Sequence, residues 1–153
     1  MGGAIIVTGG GRGIGAATSR LAAARGYDVC VNFVRDRESA ERVAEDCRRA
    51  GVEAIAVQAD VAVEDDVVRL FETSDRALGP LSALVNNAGI LERQMRVDEM
   101  DAGRIARILA ANVTGPLLCC REAVRRMSTR HGGRGGSIVN VSSVASRTGS
   151  PGE

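Results

Sequence analysis

Residues 8–15 read Thr8-Gly9-Gly10-Gly11-Arg12-Gly13-Ile14-Gly15. They follow an apolar strand candidate, Ala4–Thr8 (AIIVT), and lead into an Ala- and Leu-rich helical stretch, Ile14–Arg25. A helix N-terminus carries unpaired N–H groups and the positive end of the peptide dipoles, so it attracts phosphate. Glycines before it let backbone touch a pyrophosphate and let the helix pack closely on the strand. A G-x-G-x-x-A spacing also falls at Gly11, Gly13 and Ala16, but the register Gly9, Gly13, Gly15 is preferred because the strand ends at Thr8. A tight glycine turn with no ligand is the alternative.

Outward from this loop, short apolar runs alternate with longer amphipathic ones. Strands are predicted at Tyr27–Val34, Glu53–Gln58, Leu81–Asn86 and Ser137–Ser142. Helices are predicted at Glu38–Ala50, from Glu64 to Leu78, and from about Met100 to Arg130 with a kink near Gly115-Pro116. Glu64, Asp65 and Asp66 suit a helix start, and Gly26, Gly51 and Gly79 suit helix ends. Strands that read as continuous apolar runs belong to a parallel sheet buried on both faces. The strand–helix alternation therefore predicts an α/β fold. Without internal repeats or a long linker, residues 1–153 are expected to form a single domain, with no helix after the fifth strand.

Composition removes several chemistries. All 20 basic residues are Arg, so a Walker A lysine and a Schiff-base lysine are excluded. There is one His, His131, and one Tyr, Tyr27. Cys30, Cys47, Cys119 and Cys120 form no C-x-x-C pair and are expected to be reduced thiols. A net charge of +1 gives no general pull toward nucleic acid or anionic membrane. The arginines at 121, 125, 126, 130 and 134 lack neighbouring aromatics and read as a solvated helix. With no signal-peptide pattern or membrane-length apolar run, a cytoplasmic location is expected.

The end of the second strand bears on the choice of dinucleotide. An acidic residue there would bind the ribose hydroxyls of NAD. Asn32 and Phe33 occupy that region, and Asp28 sits at the strand's opposite end. Arg35 lies just beyond the strand and Arg12 within the glycine loop. Guanidiniums without a carboxylate favour a 2′-phosphate, hence NADP over NAD, unless both arginines are simply solvated.

Taken together, these residues resemble the short-chain dehydrogenase/reductase family. Its T-G-x-x-x-G-x-G loop matches Thr8, Gly9, Gly13 and Gly15, with Ile14 between the last two. Its Asp after strand three matches Asp60, followed by Val61, and its N-N-A-G matches Asn86, Asn87, Ala88 and Gly89. Its helix Asn matches Asn112, and its catalytic Ser resembles Ser143 rather than Ser142. Within the family the sequence is most similar to bacterial sugar-type, glucose 1-dehydrogenase-like members.

The resemblance implies a Rossmann-type doubly wound sheet of five strands in the order 3-2-1-4-5, with the C-terminal part of the fold missing. It implies hydride transfer between NADP(H) and a carbonyl or secondary alcohol. Asp60 would meet the adenine, Asn87–Gly89 the nicotinamide-side ribose, Asn112 a proton-relay water, and Ser143 the substrate carbonyl oxygen. Simpler structural roles stand beside these: a helix cap for Asp60, a sheet-ending turn for Asn87–Gly89, a buried amide for Asn112, a local backbone bond for Ser143. The family's Tyr-x-x-x-Lys pair follows its Ser by a little over a dozen residues. Only ten residues follow Ser143, none is Tyr, and the chain has no Lys. The chain is therefore expected to be truncated before that pair and to be inactive, a dinucleotide-binding fragment or module. Apolar surface around Leu117, Leu118, Val139 and Val141 is expected to be exposed and to favour aggregation, in place of the homo-oligomers of full-length members. The substrate is not readable from these residues.

Overall fold

The computed structural model describes residues 2–150. Strands β1 (Gly2–Val7), β2 (Tyr27–Phe33), β3 (Ala54–Gln58), β4 (Leu81–Asn86) and β5 (Ser137–Asn140) form one parallel sheet in the order β3-β2-β1-β4-β5. Helices α1 (Gly13–Ala24), α2 (Arg37–Arg49), α3 (Glu64–Leu78), α4 (Ala102–Leu109), α5 (Gly115–Met127) and α6 (Ala145–Thr148) connect and follow them. The order reverses between β1 and β4. In open sheets of this kind, ligands bind outside the carboxyl ends of the strands at that reversal.

Successive residues of β1 point to opposite faces, and the core divides accordingly. Ile5 and Val7, with Val29, Val31 and Phe33 of β2, pack against Ala22 of α1 and Val43 and Cys47 of α2. Ile6, Cys30 and Leu84 pack on the other face against Leu70 and Phe71 of α3 and Cys119 and Met127 of α5. All four cysteines are free, and burial pushes the Cys30 and Cys119 thiols up to about 12. Cys119 is thus packing material for the core.

Some expectations need correction. The irregularity expected near Gly115-Pro116 lies just before it. A π-helical turn, Ala110–Thr114, separates α4 from α5, and Pro116 sits in the first turn of α5. The residues before it are already helical, so a carbonyl of the preceding turn goes without its usual N–H partner. β5 stops at Asn140 rather than Ser142, and one helical turn, α6, does follow it. Pro151–Glu153 lie outside the described residues. Leu117, Val139 and Val141 are exposed as expected, whereas Leu118 packs half-buried against the core. Among the described residues β5 is a sheet edge, paired only with β4. Among the described residues, no helix is long and apolar enough to cross a membrane.

The basic stretch of α5 is paired. Glu122, whose side chain is 4% exposed, accepts from Arg121, Arg125 and Arg126, and Arg126 also donates to Asp75 of α3 at 2.7 Å. Burial pulls the Glu122 carboxyl upward, but the bonds from Arg126 and Arg121 and the charge of Arg125 outweigh it, so it titrates below the usual glutamate range. Glu122→Gln is expected to cost about 3 kcal/mol at pH 7 in urea unfolding, because arginines grouped around a buried acid lose their partner. A carboxyl depressed in the folded state contributes fully above its unfolded value, about pH 4.3, and the contribution disappears as pH falls through the folded value. The gap between the two proteins should therefore close in acid; a gap that widens there would refute this assignment.

Candidate dinucleotide site

At the carboxyl ends of the strands lies a cleft of about 940 Å³. Of the residues singled out in the sequence, it is lined by Gly9, Arg12, Gly13, Ile14, Asn32, Arg35, Asp60, Val61, Asn87, Ala88 and Gly89. Thr8 and Gly15 stand behind its wall and hold it in shape.

Thr8, 1% exposed, accepts through Oγ1 from the N–H groups of Asn87 and Ala88, each at 3.0 Å. Asn87 Nδ2 donates back to the Thr8 carbonyl at 2.9 Å and the Gly9 carbonyl at 3.2 Å. The glycine loop and the end of β4 are thus bound into one unit. Gly9 has φ +61°, and a Cβ there would meet Ala88 Cα at 3.1 Å. A Cβ on Gly15 would press into the Gly9 carbonyl and lie 2.5 Å from Asn87 Nδ2. Side chains are excluded so that α1 can begin directly against the loop.

α1 begins without a side-chain cap and with no acidic residue in its first turn. α2, by contrast, is capped by Asp36, whose Oδ1 accepts from Ser39 N–H at 2.9 Å, and α3 starts with three carboxylates. The open N–H groups at the start of α1 face the cleft and suit a phosphate. Arg12 and Arg35, both exposed, line the same cleft, and neither makes an ion pair among the described residues. Asp36 lies beside them. The bond from Ser39 N–H, helped by the charges of Arg42 and Arg12, keeps its carboxyl below the usual range.

Asn32 borders the cleft, but its amide faces the protein. Oδ1 accepts from Gly9 N–H at 3.1 Å and Nδ2 donates to the Ala59 carbonyl at 2.9 Å. Asp60 does not cap α3, whose cap position is Val63. Its Oδ1 accepts from Ala62 N–H at 3.0 Å, closing a turn at the cleft wall. Val61 is buried, and a Cβ on Gly115 would lie 2.9 Å from it, so Gly115 lets α5 approach.

Asn112 sits in the π turn and makes two bonds to one residue, accepting from Ile90 N–H at 2.8 Å and donating to Ile90 C=O at 2.7 Å. Asn112 is outside the cleft lining, although its neighbours Ala111 and Ile90 are part of it. Ser143 is exposed and also outside the lining. Its Oγ accepts from Ala145 N–H at 3.2 Å, which leaves the hydroxyl proton free to donate. Asp36, Glu92 and Arg107, all in the lining, were not singled out in the sequence. Asp36 was legible as the acidic residue before the α2 start; Glu92 and Arg107 carry no pattern of their own. Among the described residues no group of His, Cys, Asp and Glu is placed to hold a metal.

Comparison with known proteins agrees with this geometry. The family model described as short chain dehydrogenase matches residues 3–153, and the chain belongs to that family. It is 54% identical over 148 residues to an uncharacterized oxidoreductase, YgfF, of Escherichia coli K12, covering 97% of this chain and 60% of that protein. It is 41% identical to a cis-4-hydroxycyclohexanecarboxylate dehydrogenase of Sinomonas cyclohexanicum, over 94% of this chain and 56% of the relative. A solved double mutant of a Serratia marcescens short-chain dehydrogenase/reductase superposes with TM-score 0.89 at 31% identity, covering 99% of this chain and 60% of that one. The chain thus spans about 60% of the length of these relatives.

Proposed function

We propose that these residues form the dinucleotide-binding part of an NADP-preferring oxidoreductase that moves hydride between NADP(H) and a carbonyl or secondary alcohol. The observation that carries this reading is the pair of guanidiniums, Arg12 and Arg35, neither in an ion pair among the described residues, in a cleft that also holds the uncapped start of α1, while the Asp36 carboxylate in the same lining is committed to capping α2. The lining fits the group: the uncapped N–H groups of α1 and the Arg12 and Arg35 guanidiniums are donors suited to its phosphates. The start of α1 would hold the pyrophosphate, Arg12 and Arg35 the 2′-phosphate, Asp60–Val61 the adenine, and Asn87–Gly89 the far ribose. A nicotinamide bound there supplies the hydride. Ser143, with its free hydroxyl proton, would donate to the substrate's carbonyl oxygen and stabilise the negative charge that develops there. Asn112 would hold the π turn and Ile90 in register. A cytoplasmic location, a single domain over residues 1–153 and the sugar-type kinship belong to this proposal.

A second reading is favoured by one observation. Tyr27 begins β2 and packs beside Gly2, at the end of the sheet opposite the cleft, and the chain has no Lys. Within these residues no phenol stands near Ser143 to give a proton, so the chain on its own would bind the dinucleotide without turnover.

Calorimetric titration with NADP⁺ and NAD⁺ tests both readings. Arg12→Ala and Arg35→Ala are each expected to weaken NADP⁺ about tenfold, the loss of one charge-assisted phosphate contact, and to leave NAD⁺ nearly unchanged. Equal losses for the two dinucleotides would refute the 2′-phosphate role. Measurable turnover on a carbonyl panel by the 153-residue chain would exclude the binding-only reading.

A further inference from the structure

Arg104 is a buried cation in a chain whose other arginines are mostly exposed. Its side chain is 7% exposed, and burying a guanidinium is unfavourable unless its donors are satisfied. The Nη atoms are engaged with three consecutive residues. Nη1 donates to Glu92 Oε2 at 3.2 Å, and Nη2 donates to the carbonyls of Arg93 at 2.6 Å and Leu91 at 3.4 Å. Nε, also buried, has no partner. Well-packed apolar side chains often stabilise a fold as well as a buried ion pair does. What this arginine supplies is therefore a particular backbone path for residues 91–93.

That path needs support. Residues 87–96 form no helix or strand, so no ladder of backbone bonds holds them. Glu92 has φ +54°, a left-handed conformation unfavourable for a side chain of this kind. Its carboxylate is held from the other side by Arg107, through Nε to Oε1 at 2.8 Å and Nη2 to Oε2 at 3.2 Å. Upstream, the Asn112–Ile90 bonds fix the other end of the same segment. Asp101 Oδ1 accepts from Arg104 N–H at 2.7 Å, which anchors the clamp at the first turn of α4. Gly89, Ile90 and Glu92 all line the cleft.

We infer that Arg104 is a positioning residue that sets the cleft wall along the nicotinamide half of the dinucleotide. This rests on the dinucleotide reading above. With the 2′-phosphate between Arg12 and Arg35, the adenosine half lies away from residues 88–92 and the nicotinamide half lies along them. Arg104 touches neither the ligand nor the reacting atoms; it acts through the backbone of Leu91–Arg93.

The test titrates the 153-residue chain with NADP⁺ and with adenosine 2′,5′-bisphosphate, which lacks the nicotinamide half. Arg104→Met is expected to weaken NADP⁺ about tenfold and to leave the bisphosphate within about twofold. Arg104→Lys is expected not to rescue, because an ammonium lacks the planar fork that reaches both carbonyls and the carboxylate. Should Arg104→Met fail to fold, Glu92→Gln keeps the side-chain shape, and the same split, smaller in size, is expected. A wild-type chain that binds both probes, with variants that lose both alike or neither, overturns this inference alone. A wild-type chain that binds neither probe overturns the dinucleotide reading and this inference with it.

Discussion

Gly15→Ala is expected to reduce NADP⁺ affinity by about a hundredfold, or about 3 kcal/mol, and to lower the melting temperature. The added methyl would press into the Gly9 carbonyl and lie 2.5 Å from Asn87 Nδ2. Neither obstacle can move cheaply. The Gly9 carbonyl belongs to a loop at φ +61°, and Asn87 Nδ2 is committed to the carbonyls of Thr8 and Gly9. The helix must therefore retreat from the sheet, and overpacking of this kind costs roughly 1–3 kcal/mol in stability. Retreat also carries the open N–H groups of α1 away from the phosphate they are built to meet. Gly13→Ala is the control. Gly13, unlike Gly15, has a positive φ, +51°, and a Cβ there meets nothing within 4 Å. It should cost only the backbone strain, about 1–2 kcal/mol, with a smaller loss of affinity. Equal effects at the two glycines would mean that close approach at Gly15 is not what sets the affinity.

The contrast between these glycines shows where sequence reading reaches. The pattern Thr8, Gly9, Gly13, Gly15 was visible as a spacing, and the runs around it placed each strand near its observed bounds because apolar continuity is a local signal. The apolar run of β4 coincides with the strand itself, Leu81–Asn86. Which glycine is needed for space and which for φ depends on Asn87, 72 residues downstream of Gly15, and no local pattern carries that. The π turn was hidden for a related reason. Gly115-Pro116 is the natural place for a kink, but Asn112 must face Ile90, and the helix takes up an irregular turn at Ala110–Thr114 before the proline. Arg104 was one arginine among 20. Its burial follows from the path of residues 91–93, which have no periodicity to read. At Asn32 the sequence shows only that an acid is absent; its bonds lie inward.

Asn32→Leu is expected to destabilise the chain by about 3–5 kcal/mol, a large share of the 5–15 kcal/mol typical of a domain. Asn32 is fully buried at the end of β2. Its Oδ1 takes the Gly9 N–H and its Nδ2 gives to Ala59, so one amide ties the glycine loop to the exit of β3. Leucine fills a similar volume but leaves the half-buried Gly9 N–H and the buried Ala59 carbonyl without these partners, each costing roughly 1–3 kcal/mol. Urea unfolding should show a lower midpoint with an unchanged slope, since the surface exposed on unfolding stays the same. Asn32→Asp separates the two bonds. It keeps an acceptor for Gly9 and turns a carboxylate oxygen toward the Ala59 carbonyl, so it should be at least as damaging as leucine at pH 7. The charge is the cause of that damage, so stability should recover in acid, opposite in sign to the wild-type loss through Glu122. If Asn32→Leu costs less than about 1 kcal/mol, the worth of a single neutral hydrogen bond, the clamp is not what holds the glycine loop, and the Thr8–Asn87 bonds must suffice on their own.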